Sequence, residues 1–221
     1  MRSVFITGGS RGIGAAIASK YESCGYKVIA PTRNDLDLSQ CESIKAFFDR
    51  FNEPIDVLVN NAGINPVNNI VSTNNQDLQQ TIDINLVAPF LLLKSMIPLF
   101  RKKSGYNHVV NISSIWAGVA KPGRVAYAMS KSGLEGLTRT AAVELGTMGI
   151  LVNSVAPGFT LTELTLQNNG PTELEQIKKN IPLGKFANPS EIAEVVYFFG
   201  SEHNSYVTGQ TIFADGGFTC I

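Results

Sequence analysis

The chain has 221 residues, 44% of them hydrophobic, enough for one sizeable core and short of two independent domains. Eighteen lysines and arginines balance eighteen acidic residues, so nothing in the charge suggests nucleic acid or an anionic membrane as a partner. Three cysteines (Cys24, Cys41 and Cys220) without a Cys-x-x-Cys pair argue against a disulfide framework, and the scattered His108 and His203 offer no metal-site spacing.

In chain order, strand and helix signals alternate from the start. Ser3–Thr7 reads as a strand running into glycines, Ala15–Ser23 as a helix and Lys27–Ala30 as a second strand. Leu36-Asp37-Leu38 is a compact segment. Residues 34–56 leave room for a brief strand and one helix, over Glu42–Phe51, before the strand Val57–Val59. A long helix over Asp77–Lys102 is expected, kinked at Pro89 and Pro98. The strand His108–Ile112, a helix from near Tyr127, the strand Leu151–Val155, a helix over Glu191–Phe199 and the strand Gln210–Ala214 complete the series. Continuous Val/Ile/Leu strands between helices predict a single-domain α/β fold, a doubly wound parallel sheet with helices on both faces. From Thr162 to Asn188 the chain is polar and irregular around Asn168-Asn169-Gly170-Pro171, a lid or a disordered loop. Ile84–Leu93 is too short to span a membrane, and Leu145–Thr162 is broken by glycines and Pro157. No signal-peptide pattern opens the chain, so the expectation is a soluble, cytoplasmic protein with no membrane partner.

Thr7-Gly8-Gly9-Ser10-Arg11-Gly12-Ile13-Gly14 links the first strand to the first helix. Glycines there allow a tight turn and let backbone N–H groups approach a pyrophosphate, which the helix N-terminus also attracts. No Gly-Lys-Ser/Thr follows, against a P-loop. After the second strand, an acidic residue would bond a ribose 2′-hydroxyl and repel a 2′-phosphate. The chain instead reads Ala30-Pro31-Thr32-Arg33, with Arg11 in the turn, so two guanidiniums predict NADP(H) over NAD(H). Asp35 is the competing acid, and Arg33 as a solvated surface charge is the plain alternative.

Tyr127 and Lys131 lie at i and i+4, one turn apart on a helix. A phenol titrates near 10, and a neighbouring ammonium would lower that value toward neutrality. Such a pair can exchange a proton with an oxygen that gains or loses a hydride, and Ser114 can stabilise charge building on that oxygen.

Further motifs accompany the pair: Asn60-Asn61-Ala62-Gly63 after a strand, Asn85 in the next helix, Ser113-Ser114 closing a strand, and Pro157-Gly158 closing another. Together with the glycine turn, they resemble the short-chain dehydrogenase/reductase family over essentially the whole chain, from Thr7 to Tyr206-Val-Thr-Gly-Gln210 and Asp215-Gly-Gly217. The resemblance implies Tyr127 as acid/base, with Lys131 lowering its pKa and binding the nicotinamide ribose. It implies Ser114 polarising the substrate oxygen, with Ser113 as fallback, and Asn85 holding a relay water. It also implies cofactor contacts at Gly8, Ser10, Arg11, Gly12, Ile13 and Gly14, and at Arg33 and Asp37, the latter toward the adenine amine. Asn61, Ala62 and Gly63 would line the cofactor, while Pro157, Gly158 and Thr162 embrace its carboxamide. The chain is short for the family, and the loss falls between the second strand and Asn60.

Trp116 faces either the substrate or the core; Lys121 and Arg124 form a solvated pair or greet an acidic substrate or a carrier's phosphate. Ile181-Pro-Leu-Gly-Lys185 and Asn188-Pro-Ser-Glu191 are most similar to 3-oxoacyl-[acyl-carrier-protein] reductases. That implies an NADP(H)-dependent carbonyl reductase acting on a small-molecule or carrier-bound carbonyl. The alternatives are a sugar or polyol dehydrogenase of the same family, and a non-catalytic dinucleotide-binding regulator. Apolar excess on the helices around residues 85–102 and 127–146 implies, by the same resemblance, a homotetramer, with a dimer as runner-up.

Overall fold

Six parallel strands in the order β2-β1-β3-β4-β5-β6 form the sheet of the computed structural model, which describes residues 1–102, 105–168 and 170–220. They are β1 (Ser3–Ile6), β2 (Lys27–Ile29), β3 (Val57–Asn60), β4 (Asn107–Ile112), β5 (Ile150–Pro157) and β6 (Thr211–Ala214). The chain runs outward from β1 to β2, then crosses back to β3 on the other side of β1. That reversal opens a crevice beyond the carboxyl ends of β1 and β3, where open α/β sheets bind ligands.

The pleat explains the buried strands. Phe5, Leu58, Val109 and Val152 are aligned in register and point to one face, against Leu92 and Met96. Val4, Ile6, Val57, Val59 and Val110 point to the other, against Ile17, Tyr21, Ile192 and Val196. Each such side chain contributes about 1.5–3 kcal/mol on full burial. The covering helices are α1 (Gly12–Ser23), α4 (Ala88–Met96), α5 (Val125–Leu145) and α8 (Pro189–Gly200), with α2 (Cys41–Phe48) and α3 (Asn75–Ile82) at the margin. The start of α8 is specified locally by Pro189 in the first turn and a capping box between Asn188 and Glu191.

Three expectations are corrected. The helix predicted over Asp77–Lys102 is not one kinked helix. It passes from α3 into a π-helical turn, Asp83–Val87, then α4, then a 3-10 turn over Ile97–Leu99. Pro89 and Pro98 each sit in the first turn of the segment that follows the change, where a missing N–H costs least. No strand forms among residues 34–40, where Leu36 is buried in a run of turns. The stretch 162–188 is not irregular: it carries α6 (Glu163–Gln167) and α7 (Pro171–Lys179). Asn169, expected at its centre, lies outside the described residues.

By length and composition, Asn75–Leu99 is the one candidate membrane span among the described residues. Leu92 and Met96 within it are fully buried against the sheet.

Candidate active site

A cleft of about 760 Å³ starts at the glycine turn and continues past the ends of β3, β4 and β5 to the 162–168 segment. Gly8 and Gly12 hold φ of +66° and +55°, which a side chain would strain. A Cβ at Gly14 would lie 2.0 Å from the Gly8 carbonyl oxygen and 2.5 Å from Asn61 Nδ2. The absent side chain lets α1 abut the turn. Thr7, which the sequence reading did not single out, ties the turn to β3: its Oγ1 accepts from Asn61 N at 3.0 Å and Ala62 N at 3.1 Å. Asn61 Nδ2 in turn donates to the Thr7 and Gly8 carbonyls. Arg11 caps α1 without a side-chain hydrogen bond, so the helix's first N–H groups have no side chain satisfying them there. A glycine cradle and an uncapped helix N-terminus fit a dinucleotide pyrophosphate.

At the adenine end, Arg33 and Asp37 line the cleft and face each other, with Arg33 Nε 3.6 Å from Asp37 Oδ2. Asp37 Oδ1 accepts from Ser39 N and Oγ, and these bonds hold its carboxyl below the usual range. Asp35 is turned away: its Oδ2 accepts from Thr32 Oγ1 at 2.7 Å and Thr32 N at 3.0 Å. Arg11 pairs with Glu163 of α6 at 3.2 Å, linking the turn to the segment above it.

At the other end, Ser114 and Tyr127 stand together. Ser113 directs its hydroxyl to Glu135 Oε1 at 3.1 Å. Ser114, capping a 3-10 turn, accepts from Trp116 N and lines the cleft beside Tyr127. Tyr127 is half-buried on α5; enclosure pushes its pKa up, while the neighbouring Ser114 hydroxyl and the Arg124 charge pull it down. Lys131 lies one turn further along α5 in the same cleft. Its Nζ lies 5.6 Å from the Tyr127 ring centre and donates to the Ile112 carbonyl at 2.6 Å; burial lowers its pKa to about 8. In this structure the groups that depress the phenol's pKa are Ser114 and Arg124.

Asn85 sits in the π-helical turn, fully buried. It donates to the Ile64 carbonyl and Ser130 Oγ, and its Oδ1 accepts from Ile64 N at 2.9 Å. It thereby fixes the loop after β3, with Gly63 packed between it and Lys131. Pro157 ends β5 in the cleft wall. Gly158 follows so close to Asp215 that a Cβ would lie 2.7 Å from its Cα. Thr162 caps α6 and packs over Gly12. Ser10, Ile13, Ala62 and Gly63 also line the cleft.

Trp116 lines the cleft, ring edge to Phe159 and Phe218. Lys121 lies over Trp116 and bonds Glu173 of α7 at 2.8 Å. Arg124 is no solvated charge: it is 4% exposed and lines the cleft beside Tyr127. Its burial depends on the loop at Asn65–Asn68 folding over it, a long-range contact with no local signature.

A family profile described as Enoyl-(Acyl carrier protein) reductase matches residues 34–219. A 3-oxoacyl-[acyl-carrier-protein] reductase of Rickettsia typhi is 36% identical over 234 residues, covering 98% of this chain and 96% of its own. Among solved structures, angucycline C-6 ketoreductase LanV with bound NADP has a TM-score of 0.90 at 27% identity, over 99% of this chain and 96% of its own. The 4-hydroxyisoleucine dehydrogenase complexed with NADH has a TM-score of 0.90 at 29% identity, over 100% and 99%. With its parallel sheet, glycine cradle and Ser114/Tyr127/Lys131 cluster, the chain belongs to the short-chain dehydrogenase/reductase family of nicotinamide-dependent oxidoreductases.

Proposed function

We propose that the chain catalyses NADP(H)-dependent interconversion of a ketone and a secondary alcohol, in the reducing direction on a 3-oxoacyl thioester or a similar ketone. One observation carries this reading: Ser114, Tyr127 and Lys131 share one cleft with the glycine cradle. The similarity to 3-oxoacyl-[acyl-carrier-protein] reductases supports the acyl class.

Gly8, Ser10, Gly12, Ile13 and Gly14 would hold the pyrophosphate. Asn61, Ala62 and Gly63 would line the middle of the cofactor, and Pro157, Gly158 and Thr162 its carboxamide end. Arg33, with Arg11, would take the 2′-phosphate; Asp35 folded back on Thr32 favours that choice over a ribose diol. Asp37 would reach the adenine. When bound, the nicotinamide supplies or accepts the hydride. Ser114 Oγ donates to the carbonyl oxygen as charge builds there, and the Tyr127 hydroxyl delivers the proton. Lys131 keeps a positive charge below the tyrosine and takes the ribose hydroxyls; Asn85 holds the adjoining loop and the relay beside it. The segment 162–188 closes over the substrate and excludes water.

The reading extends to a cytoplasmic homotetramer. The free, exposed Cys24, Cys41 and Cys220 suit a reducing compartment, and exposed Phe90, Met129 and Val143 on α4 and α5 suit subunit contact. Light scattering tests the tetramer, and a monomer sinks it. The reaction is tested by NADPH consumption with a panel of 3-oxoacyl thioesters and simple ketones, and by NADP⁺ reduction with sugars and polyols. Turnover of sugars alone favours the polyol reading, and no turnover of either class overturns both.

A further inference from the structure

We infer that Arg124 selects the substrate by receiving a carboxylate carried beside the reacting carbonyl, so that the preferred substrate is an oxo acid in its ionised form. The inference rests on the reading of Tyr127 as the proton donor to a ketone. It narrows the oxoacyl class to molecules with a free carboxylate where a thioester would otherwise stand.

The observation is a buried cation without a counter-ion. Arg124 is 4% exposed, and a guanidinium carries five N–H donors and stays charged at every working pH. Its Nη1 donates to the neutral amide oxygen of Asn65 at 3.1 Å. Its Nε is enclosed and has no partner. No carboxylate lies within ion-pair distance of it among the described residues: Glu173, whose charge it feels, is held by Lys121 at 2.8 Å. An enclosed charge left in this state is costly unless something supplies the missing acceptors.

Arg124 stands where a ligand would supply them. It lines the cleft with Ser114, Trp116 and Tyr127, within one helical turn of the tyrosine, and so belongs to the substrate end and not to the cofactor's phosphate cradle at the glycine turn. Its backbone is pinned: Asn68 N donates to the Gly123 carbonyl, and Ala128 N to that of Arg124. A planar carboxylate matches the guanidinium fork with two parallel bonds. A carrier arm's phosphate would lie many bonds from the reacting carbon, too far for a cation one turn from Tyr127. A ketone whose carboxylate is one or two bonds away fits both groups at once.

The test compares acetoacetate, its ethyl ester and a neutral ketone of similar size as substrates of the NADPH-loaded enzyme. For wild type, kcat/KM for the acid should exceed that for the ester by at least about tenfold, the size expected of a charge-assisted pair. In Arg124→Gln the acid-to-ester ratio should fall to about one, and Arg124→Lys should retain part of it. Equal use of acid and ester by wild type, or a ratio unchanged in Arg124→Gln, overturns the inference. Trp116 fluorescence titrated with 3-hydroxybutyrate reads the same site without turnover. Saturable quenching in wild type that is lost in Arg124→Gln supports it, and its absence in wild type overturns it. If no ketone is reduced while that quenching persists, the reductase reading fails and the anion site stands.

Discussion

Lys131 Nζ donates to the backbone carbonyl of Ile112 at 2.6 Å while standing 5.6 Å from the centre of the Tyr127 ring. The ammonium is thus held by the end of β4 beneath the phenol rather than against its hydroxyl. Being enclosed, it loses hydration, and its pKa falls to about 8 from 10.5.

That shift has a sign. Between about pH 8 and 10.5 the unfolded chain keeps Lys131 protonated while the folded chain releases the proton. The unfolded state binds more protons there, so this group makes stability rise with pH across that window and leaves its full cost in place below it. Urea unfolding of wild type and Lys131→Met at several pH values isolates the contribution. Wild-type stability relative to the variant should climb from pH 8 toward pH 10; a flat difference would show that the lysine titrates normally.

Tyr127→Phe should lower kcat by about 10²–10⁴-fold, the usual worth of a positioned general acid. The ring keeps its place on α5, so NADPH titration should be nearly unchanged. Near wild-type turnover would rule out the tyrosine as proton donor.

Arg33→Ala should erode the preference for NADP(H). A charge-assisted bond to phosphate contributes about 1.5–3 kcal/mol, roughly a 10- to 100-fold effect on NADPH affinity with little on NADH. The ratio of the two dissociation constants reads this directly. If the ratio holds in Arg33→Ala and drops in Arg11→Ala, the phosphate lies nearer the glycine turn and Arg11 leaves Glu163 to meet it.

Gly14→Ala and Gly136→Ala make a matched pair. The first puts a Cβ 2.0 Å from a backbone oxygen, so α1 must shift; overpacking of this kind costs about 1–3 kcal/mol and should weaken coenzyme binding. The second meets nothing within 4 Å on α5 and should stabilise by about 0.5–1 kcal/mol. Thermal melts with and without NADPH separate the outcomes. Equal effects would show that the turn tolerates the shift.

The buried strands were legible because a parallel sheet covered on both faces demands apolar runs, and β3 (Val-Leu-Val) and the start of β5 (Ile-Leu-Val) carry them. Ser114 was preferred to Ser113 on the family's spacing to the tyrosine, and Ser113 turns away to Glu135. Helix α7 was missed although Gly170, Pro171, Lys178 and Lys179 mark its ends, because too few apolar residues form a stripe around Ile177. The π-helical turn at Asn85 has no sequence period to detect. For Arg124 the solvated alternative fails for a different reason: whether a charge is solvated depends on what folds over it, here a loop some sixty residues earlier.

The two ends of the segment above the cleft meet at a single bridge between Thr160 and Ala187, where Leu161 N donates to the Ala187 carbonyl and Ala187 N to that of Phe159, each at 2.9 Å. Everything between is therefore a cassette with a fixed clasp. Because closing a longer loop on such a clasp costs little more than closing a short one, a change of length between 162 and 186 leaves β5 and α8 in register, provided the ties at Glu163, Glu173 and Leu183 are kept. Within that span, length and sequence can change without moving the clasp itself.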